Sequence, residues 1–188
     1  VNPDFGAREA GYILSHAGVS AIAASAAAMP VVRDAIARMP ERPWLMSLDG
    51  TDSAVPAFRK LIESPARRAP VAAACADDTC LILYTSGTTG FPKGVMHSQR
   101  NFVLAGEAFV ARMWLQPEDR LLCILPLFHI NALFYSLAGA LAAGASLALV
   151  PKFSASTFWQ TVFDTGATQA NIIAAVGNIL ARRPRSEF

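Results

Sequence analysis

The segment Thr79–His97 reads TCLILYTSGTTGFPKGVMH. An apolar run, Thr79–Tyr84, enters a loop rich in glycine and hydroxyls, Thr85–Gly94, and a shorter apolar run, Val95–His97, leaves it. The first run has the length and character of a buried strand. Within the loop stand Thr85, Ser86, Thr88 and Thr89, interspersed with Gly87, Gly90 and Gly94, and Lys93 lies near the end. Glycines let the backbone turn sharply and bring N–H groups close to an anion. The hydroxyls supply donors for phosphate oxygens and could also reach a bound magnesium. Lys93 adds a mobile charge able to follow a departing phosphate, while Pro92 limits how far the loop's far arm can wander. A hairpin turn would use Gly-Thr-Thr-Gly equally well. Turn geometry does not, however, require four hydroxyls and a lysine within ten residues. The loop therefore reads as a cradle for the phosphates of a nucleotide, ATP.

Outward from the loop, helix and strand patterns alternate. On the N-terminal side, Gly6–Ala17 sets Ala10, Ile13, Leu14 and Ala17 on one helical face, with Gly18 as C-cap. Val19–Ala24 and Trp44–Leu48 read as strands, with a helix over Val31–Met39 between them. Ser53 can cap a helix running to Glu63. Ser64–Asp78, rich in Pro, Ala and Arg, reads as a linker, which divides the chain into portions 1–70 and 71–188. On the C-terminal side, Ser98 can cap a long helix with Phe102, Gly106, Phe109 and Met113 on one stripe, joined by Val103, Val110 and Trp114. Leu121–Leu125 reads as a buried strand, Asn131–Ala143 as an apolar helix and Ser146–Val150 as a strand. A helix near Ser156–Asp164, a strand near Gln169–Ala174 and a helix from Val176 complete the pattern. Such alternation predicts an α/β fold with a mainly parallel sheet flanked by helices.

Composition narrows the function classes. Hydrophobic residues are 53% and charged residues 16% of the 188, which excludes a disordered chain. A net charge of +2 with scattered basic residues points away from nucleic acid. Three cysteines without metal-ligand spacing predict neither a disulfide scaffold nor a zinc site, and a reducing cytoplasm is the expected compartment. Leu121–Val150 runs thirty residues without a charge, long enough to span a bilayer. Pro126, His129, Asn131, Gly139 and Gly144 break it into strand, helix and strand, so a helix buried in an α/β core is expected instead of a transmembrane segment.

The loop does not fit G-x-x-x-x-G-K-[ST], since Lys93 is followed by Gly94 and no Gly-Lys pair precedes it. It does not fit a G-x-S-x-G elbow either, because Tyr84 stands two residues before Ser86. Tyr84–Val95 instead resembles the signature of adenylate-forming, AMP-binding enzymes: acyl-CoA synthetases, luciferases and peptide-synthetase adenylation domains. Asn2-Pro3 with Tyr12-Ile13-Leu14, the run Leu125–Asn131 and Gly139–Val150 are also similar to that family's motifs. The resemblance thus covers most of the chain.

The resemblance implies part of the large N-terminal domain of an ATP-dependent acyl-CoA ligase. In that family a carboxylate attacks the α-phosphorus of Mg·ATP, pyrophosphate leaves, and coenzyme A then displaces AMP from the acyl-AMP. Thr85, Ser86, Gly87, Thr88, Thr89, Gly90 and Lys93 are the implied phosphate contacts, with Lys93 and Thr88 closest to the chemistry. Positioning and charge neutralisation, more than a protein nucleophile, drive such a step. Phe128, His129 and Asn131 fall where the family lines the acyl pocket. Amino-acid-activating relatives carry an acid there, so its absence implies a carboxylic acid lacking an α-amine and disfavours a peptide-synthetase domain. The run Pro126–Trp159 is most similar to ligases of the crotonobetaine/carnitine type. No metal-ligand set is certain, and oligomeric state is left open. His16 and His97 are expected to be a helix end and a loop residue without further role. The family's C-terminal domain is not found within these residues, so the 188-residue chain is expected not to complete adenylation alone. A catalytically incomplete binding or scaffold fragment is the alternative from another class.

Overall fold

The computed structural model describes residues 1–63, 73–85 and 92–183. They form two compact units, Val1–Ala74 with Tyr84–Val95 and Cys75–Leu83 with Met96–Phe188.

In the first unit, α1 (Ala7–His16) buries Ala10, Ile13 and Leu14, the face anticipated from the apolar spacing. Its chain reverses at Gly18, whose φ of +60° is the left-handed conformation favoured after a helix. Strand β1 (Ala21–Ala24) runs parallel to β2 (Trp44–Ser47), with Ala21 opposite Trp44. Between them α2 spans Met29–Ile36. It begins two residues before the expected Val31 because Pro30, with its fixed φ, sits in the first turn where no N–H is needed. Ala10 and Leu14 of α1 and Ala35 and Ile36 of α2 close over Ile22 and Leu45 of the sheet. Gly11 lets the helices approach, since a Cβ there would lie 3.1 Å from the Ala35 carbonyl oxygen.

The helix expected from Ser53 is only α3, Phe58–Glu63. The preceding residues have other partners. Asp52 accepts the Ala54 N–H at 2.9 Å and pairs with Arg33 at 2.7 Å. The Pro56 carbonyl takes the Ser47 N–H, and Ala57 bridges to Ser47 beside β2. A turn and a strand-like bridge thus replace about one helical turn.

Strands β3 (Thr79–Thr85) and β4 (Lys93–Ser98) pair with each other. The expectation that Thr79–Tyr84 is buried is not met: four of the seven β3 residues are exposed and none is fully buried. Among the described residues its ladder partner is β4 alone, so it lacks the two covered faces of an interior strand.

The second unit is built on β5 (Arg120–Cys123), flanked by β6 (Ser146–Leu149) and β7 (Gln169–Ala170), both parallel to it. Ser98 caps α4 (Gln99–Met113), its side chain accepting the Asn101 N–H at 3.2 Å. Only part of the expected stripe on α4 turns inward. Gly106 is buried and Phe109 packs in, whereas Val103, Met113 and Trp114 stay exposed, Trp114 in a left-handed cap with φ +55°.

Successive β5 residues alternate between two layers, as strand geometry requires. Leu121 packs with Leu115, Phe109 and Ala140 on the α4 side. Leu122 and Ile124 pack with Phe158 of α6 (Phe158–Thr165) and Val176 and Leu180 of α7 (Ala174–Ala181) on the other. Burying one such leucine contributes about 1.5–3 kcal/mol. The sheet covered by helices on both faces is the expected α/β arrangement. At its opposite edge Asp119 accepts from the Gln116 N–H, the Thr168 hydroxyl and the Gln169 amide, which holds its pKa below the usual carboxylate value, chiefly through the Gln116 bond.

The apolar helix expected over Asn131–Ala143 is two pieces. Asn131–Leu137 winds as a π-helix and α5 (Ala138–Ala143) continues it. The Ala138 N–H reaches back to the Leu133 carbonyl, five residues earlier. The strand expected over Gln169–Ala174 stops at Ala170, and α7 begins at Ala174. Among the described residues no helix is long and apolar enough to cross a membrane.

Candidate functional site

The glycine-rich loop connects β3 to β4, so its arms are hydrogen-bonded strands. Thr85 ends β3 and Lys93 begins β4. Both side chains are exposed, and Lys93 has no ion pair among the described residues. Ser86, Gly87, Thr88, Thr89 and Gly90 lie outside the described residues. The pairing means that the hairpin and phosphate-cradle readings are compatible: a seven-residue connection between paired strands is far longer than a tight turn needs.

The strand pair is tied at its base. Asp77 and Arg100 form an ion pair at 2.9 Å, the Gln99 N–H donates to the Asp78 carbonyl and the Arg100 N–H to the Ala76 carbonyl. Cys80 donates its thiol hydrogen to the His97 carbonyl at 3.4 Å, across β3 and β4. His97, expected to be a bystander, also lays its ring 4.9 Å from that of Phe134.

At the loop's entrance Tyr84 immediately precedes Thr85. Its hydroxyl lies 2.8 Å from His16 Nδ1 and donates at 3.5 Å to the Ile13 carbonyl. Burial first, and Tyr12 second, push the Tyr84 pKa above the usual phenol value. His16 is the helix end that was expected, and its ring also makes this contact. Residues 68 apart in sequence cannot be paired from local pattern.

The second group of expected residues sits at the carboxyl edge of the parallel sheet. Strands β5 and β7 are neighbours, yet α5, after β5, lies on the Leu121 face and α7, after β7, on the Leu122 face. Adjacent strands whose connections leave on opposite faces open a crevice at their carboxyl ends, the usual ligand position in such sheets. Phe128, His129 and Asn131 follow β5 into this edge. Phe128 and His129 have ring centroids 4.5 Å apart, and the His129 N–H donates to the Pro126 carbonyl. The His129 side chain is exposed, so it is not a core histidine. Asn131 opens the π-helix, a local widening common beside functional groups. Its Oδ1 accepts from Asn171 Nδ2 at 2.5 Å, just past the end of β7.

Sequence reasoning missed Asn171, although a polar residue interrupting an apolar run just past a strand was a usable signal. An apolar depression of about 370 Å³ adjoins the same edge, lined by Leu125, Pro126, Leu127 and Leu149 among others. A larger groove of about 760 Å³ between α1 and α2 contains none of the expected site residues. No cluster of three or more His, Cys, Asp or Glu side chains suited to a metal occurs among the described residues.

Comparison with known proteins places this geometry in a family. The chain is 31% identical over 189 residues to a long-chain-fatty-acid–CoA ligase of Mycobacterium tuberculosis, covering 98% of this chain and 36% of that one. It is 38% identical over 110 residues to a crotonobetaine/carnitine–CoA ligase of Shigella sonnei, covering 58% of this chain and 21% of the relative. Its structure is similar to the crystallised N-terminal domain of FACL13 from Mycobacterium tuberculosis, with TM-score 0.82 and 28% identity over 98% of this chain and 45% of that one. The chain thus spans less than half the length of these relatives. The family model described as "AMP-binding enzyme" matches residues 1–187, and the chain belongs to that family.

Proposed function

We propose that the chain carries the phosphate loop and part of the acyl site of an ATP-dependent acyl-CoA ligase. The observation that supports this most directly is the loop Thr85–Gly94, strung between paired strands in a chain of the AMP-binding family. In the proposed reaction a substrate carboxylate oxygen attacks the α-phosphorus of ATP. The bond to the β-phosphate bridging oxygen breaks, giving acyl-AMP and pyrophosphate. The thiol of coenzyme A then gives up its proton and attacks the acyl carbon, the bond between that carbon and the phosphate oxygen breaks, and AMP leaves.

Thr85, Ser86, Thr88 and Thr89 supply hydroxyl donors, Gly87 and Gly90 allow close backbone approach, and Lys93 neutralises charge on the departing pyrophosphate. Fixed donors aimed at developing charge stabilise the transition state without reorganising when it forms. Magnesium would enter with the nucleotide, held chiefly by phosphate oxygens, as is usual for this cation, with the loop hydroxyls as supplementary oxygen ligands.

The acid we propose lacks an α-amine. No carboxylate stands among Phe128, His129, Ile130 and Asn131 to pair with an ammonium group, and His129 with the Asn131–Asn171 amides offers neutral or donor groups instead. The relatives' names range from long-chain fatty acid to crotonobetaine, so the proposal stops at that class. We propose a cytoplasmic setting, which suits an exposed thiol pair, Cys75 and Cys80, and substrates such as ATP and coenzyme A.

Pyrophosphate exchange by the full-length gene product, screened over carboxylic acids with and without an α-amine, tests the reading. Exchange with the amine-free acids and its loss in Lys93→Ala and Thr88→Ala are expected. Normal exchange in both variants would sink the loop assignment, and preference for α-amino acids would sink the substrate class.

A further inference from the structure

The phosphate-loop reading assigns contacts to residues beyond Tyr84 but leaves open what fixes the arm from which they hang. The structure points to α1. The Tyr84 hydroxyl meets His16 Nδ1 at 2.8 Å and the Ile13 carbonyl at 3.5 Å. The His16 and Tyr84 rings contact edge-on with centroids 5.8 Å apart, and the Tyr12 ring stacks on that of His16 at 5.5 Å. Tyr12 and His16 are one helical turn apart, so they lie on the same side of α1. Their helix is itself fixed by Ala10 and Leu14 against α2. A rigid element therefore holds the residue immediately before Thr85 by two hydrogen bonds and an aromatic stack. Tyr12, His16, Tyr84 and Thr85 all belong to the same compact unit.

We infer that Tyr12, His16 and Tyr84 form a clamp that positions the N-terminal arm of the phosphate loop for nucleotide binding. This deepens the proposed function and rests on its reading of Thr85–Gly94 as a phosphate loop. The three are positioning residues acting through Thr85. A loop that is ordered before the nucleotide arrives loses less conformational freedom on binding, and affinity rises by that difference. Tyr84 suits the task because its hydroxyl, lifted in pKa by burial, keeps its proton and donates throughout the neutral range. His16 supplies a ring nitrogen at the end of α1, where the last turn would otherwise leave it in solvent.

The test compares Tyr84→Phe, His16→Ala and His16→Asn in the full-length gene product. Magnesium-ATP binding by equilibrium titration and the KM values for ATP and for the carboxylate are measured, with Lys93→Ala as reference. Removing one net hydrogen bond is expected to weaken ATP binding and raise the ATP KM about 3–10-fold. The carboxylate KM should stay unchanged, and His16→Asn, whose amide reaches the position of Nδ1, should restore most of the loss. The clamp is overturned if Tyr84→Phe and His16→Ala leave ATP binding within twofold while Lys93→Ala abolishes exchange. It is also overturned if both KM values rise together with a fall in Tm, the sign of a merely structural contact. Normal exchange in Lys93→Ala would remove the phosphate-loop reading, and the clamp with it.

Discussion

Replacing Gly106 by alanine probes the packing of α4 against α5 beside the main sheet. Gly106 is buried in α4 against the start of α5, and a Cβ at that position would lie 2.5 Å from the Ala138 carbonyl oxygen and 2.8 Å from its carbon. Ordinary contact begins at 3.4 Å, so the added methyl intrudes by about 0.9 Å. The obstacle is backbone, which cannot rotate away, and the two helices must separate or tilt. Overpacking of this kind costs about 1–3 kcal/mol. Alanine recovers about 1 kcal/mol of helix propensity, which leaves a net loss of about 0–2 kcal/mol, and the backbone clash places the expectation at the upper end. Gly177 provides the control, being interior to α7, where an added methyl would meet only the end of the Ile172 side chain, at 3.6 Å. Gly177→Ala is therefore expected to stabilise by up to about 1 kcal/mol. Urea unfolding reports both as shifts in midpoint at constant slope. In thermal unfolding of a chain this size the shifts correspond to about 2–4 °C per kcal/mol. Equal stability of Gly106→Ala and the parent would refute the close approach of α4 and α5.

Three further outcomes are expected. Asp49 is held down to about 2, first by the Ala26 N–H and then by the Ser47 hydroxyl, against 3.8 for a free aspartate. A lowered native pKa contributes stability that is full above the unfolded value and lost as pH falls through the folded one. Asp49→Asn should therefore lower Tm at pH 7, with the gap to the parent closing between about pH 4 and pH 2; a gap independent of pH would contradict the linkage. Cys123 is buried, and burial raises its thiol pKa, so iodoacetamide at neutral pH should modify Cys75 and Cys80 well before it, as mass spectrometry of digests would show. Asn171→Ala removes the partner of Asn131 at the carboxyl ends of β5 and β7. It should raise the carboxylate KM of the full-length gene product several-fold, by the value of one part-buried hydrogen bond between amides, and leave the ATP KM unchanged. A shift in the ATP KM alone would place Asn171 elsewhere in the reaction.

Much of this protein was legible locally. Apolar spacing located α1, α4 and the three strands of the main sheet, and Ser98 announced the start of α4 because capping depends on neighbours three residues away. The proposed loop assignment draws on a short, contiguous set of glycines, hydroxyls and a lysine, the kind of set that phosphate binding needs. Periodicity cannot report how many layers cover a strand, so β3 looked buried and is largely exposed. Nor can it distinguish an α-helical from a π-helical turn at Asn131–Leu137, since both satisfy the same apolar run.

The α/β alternation and the family are properties of contiguous residues, and both could be read from them. Only the tertiary structure decided that Asn171 meets Asn131 and that His16 meets Tyr84, across 40 and 68 residues. Such pairs form where parallel strands end side by side or a helix packs beside a strand. The sheet order and helix packing, which no local pattern encodes, bring them together.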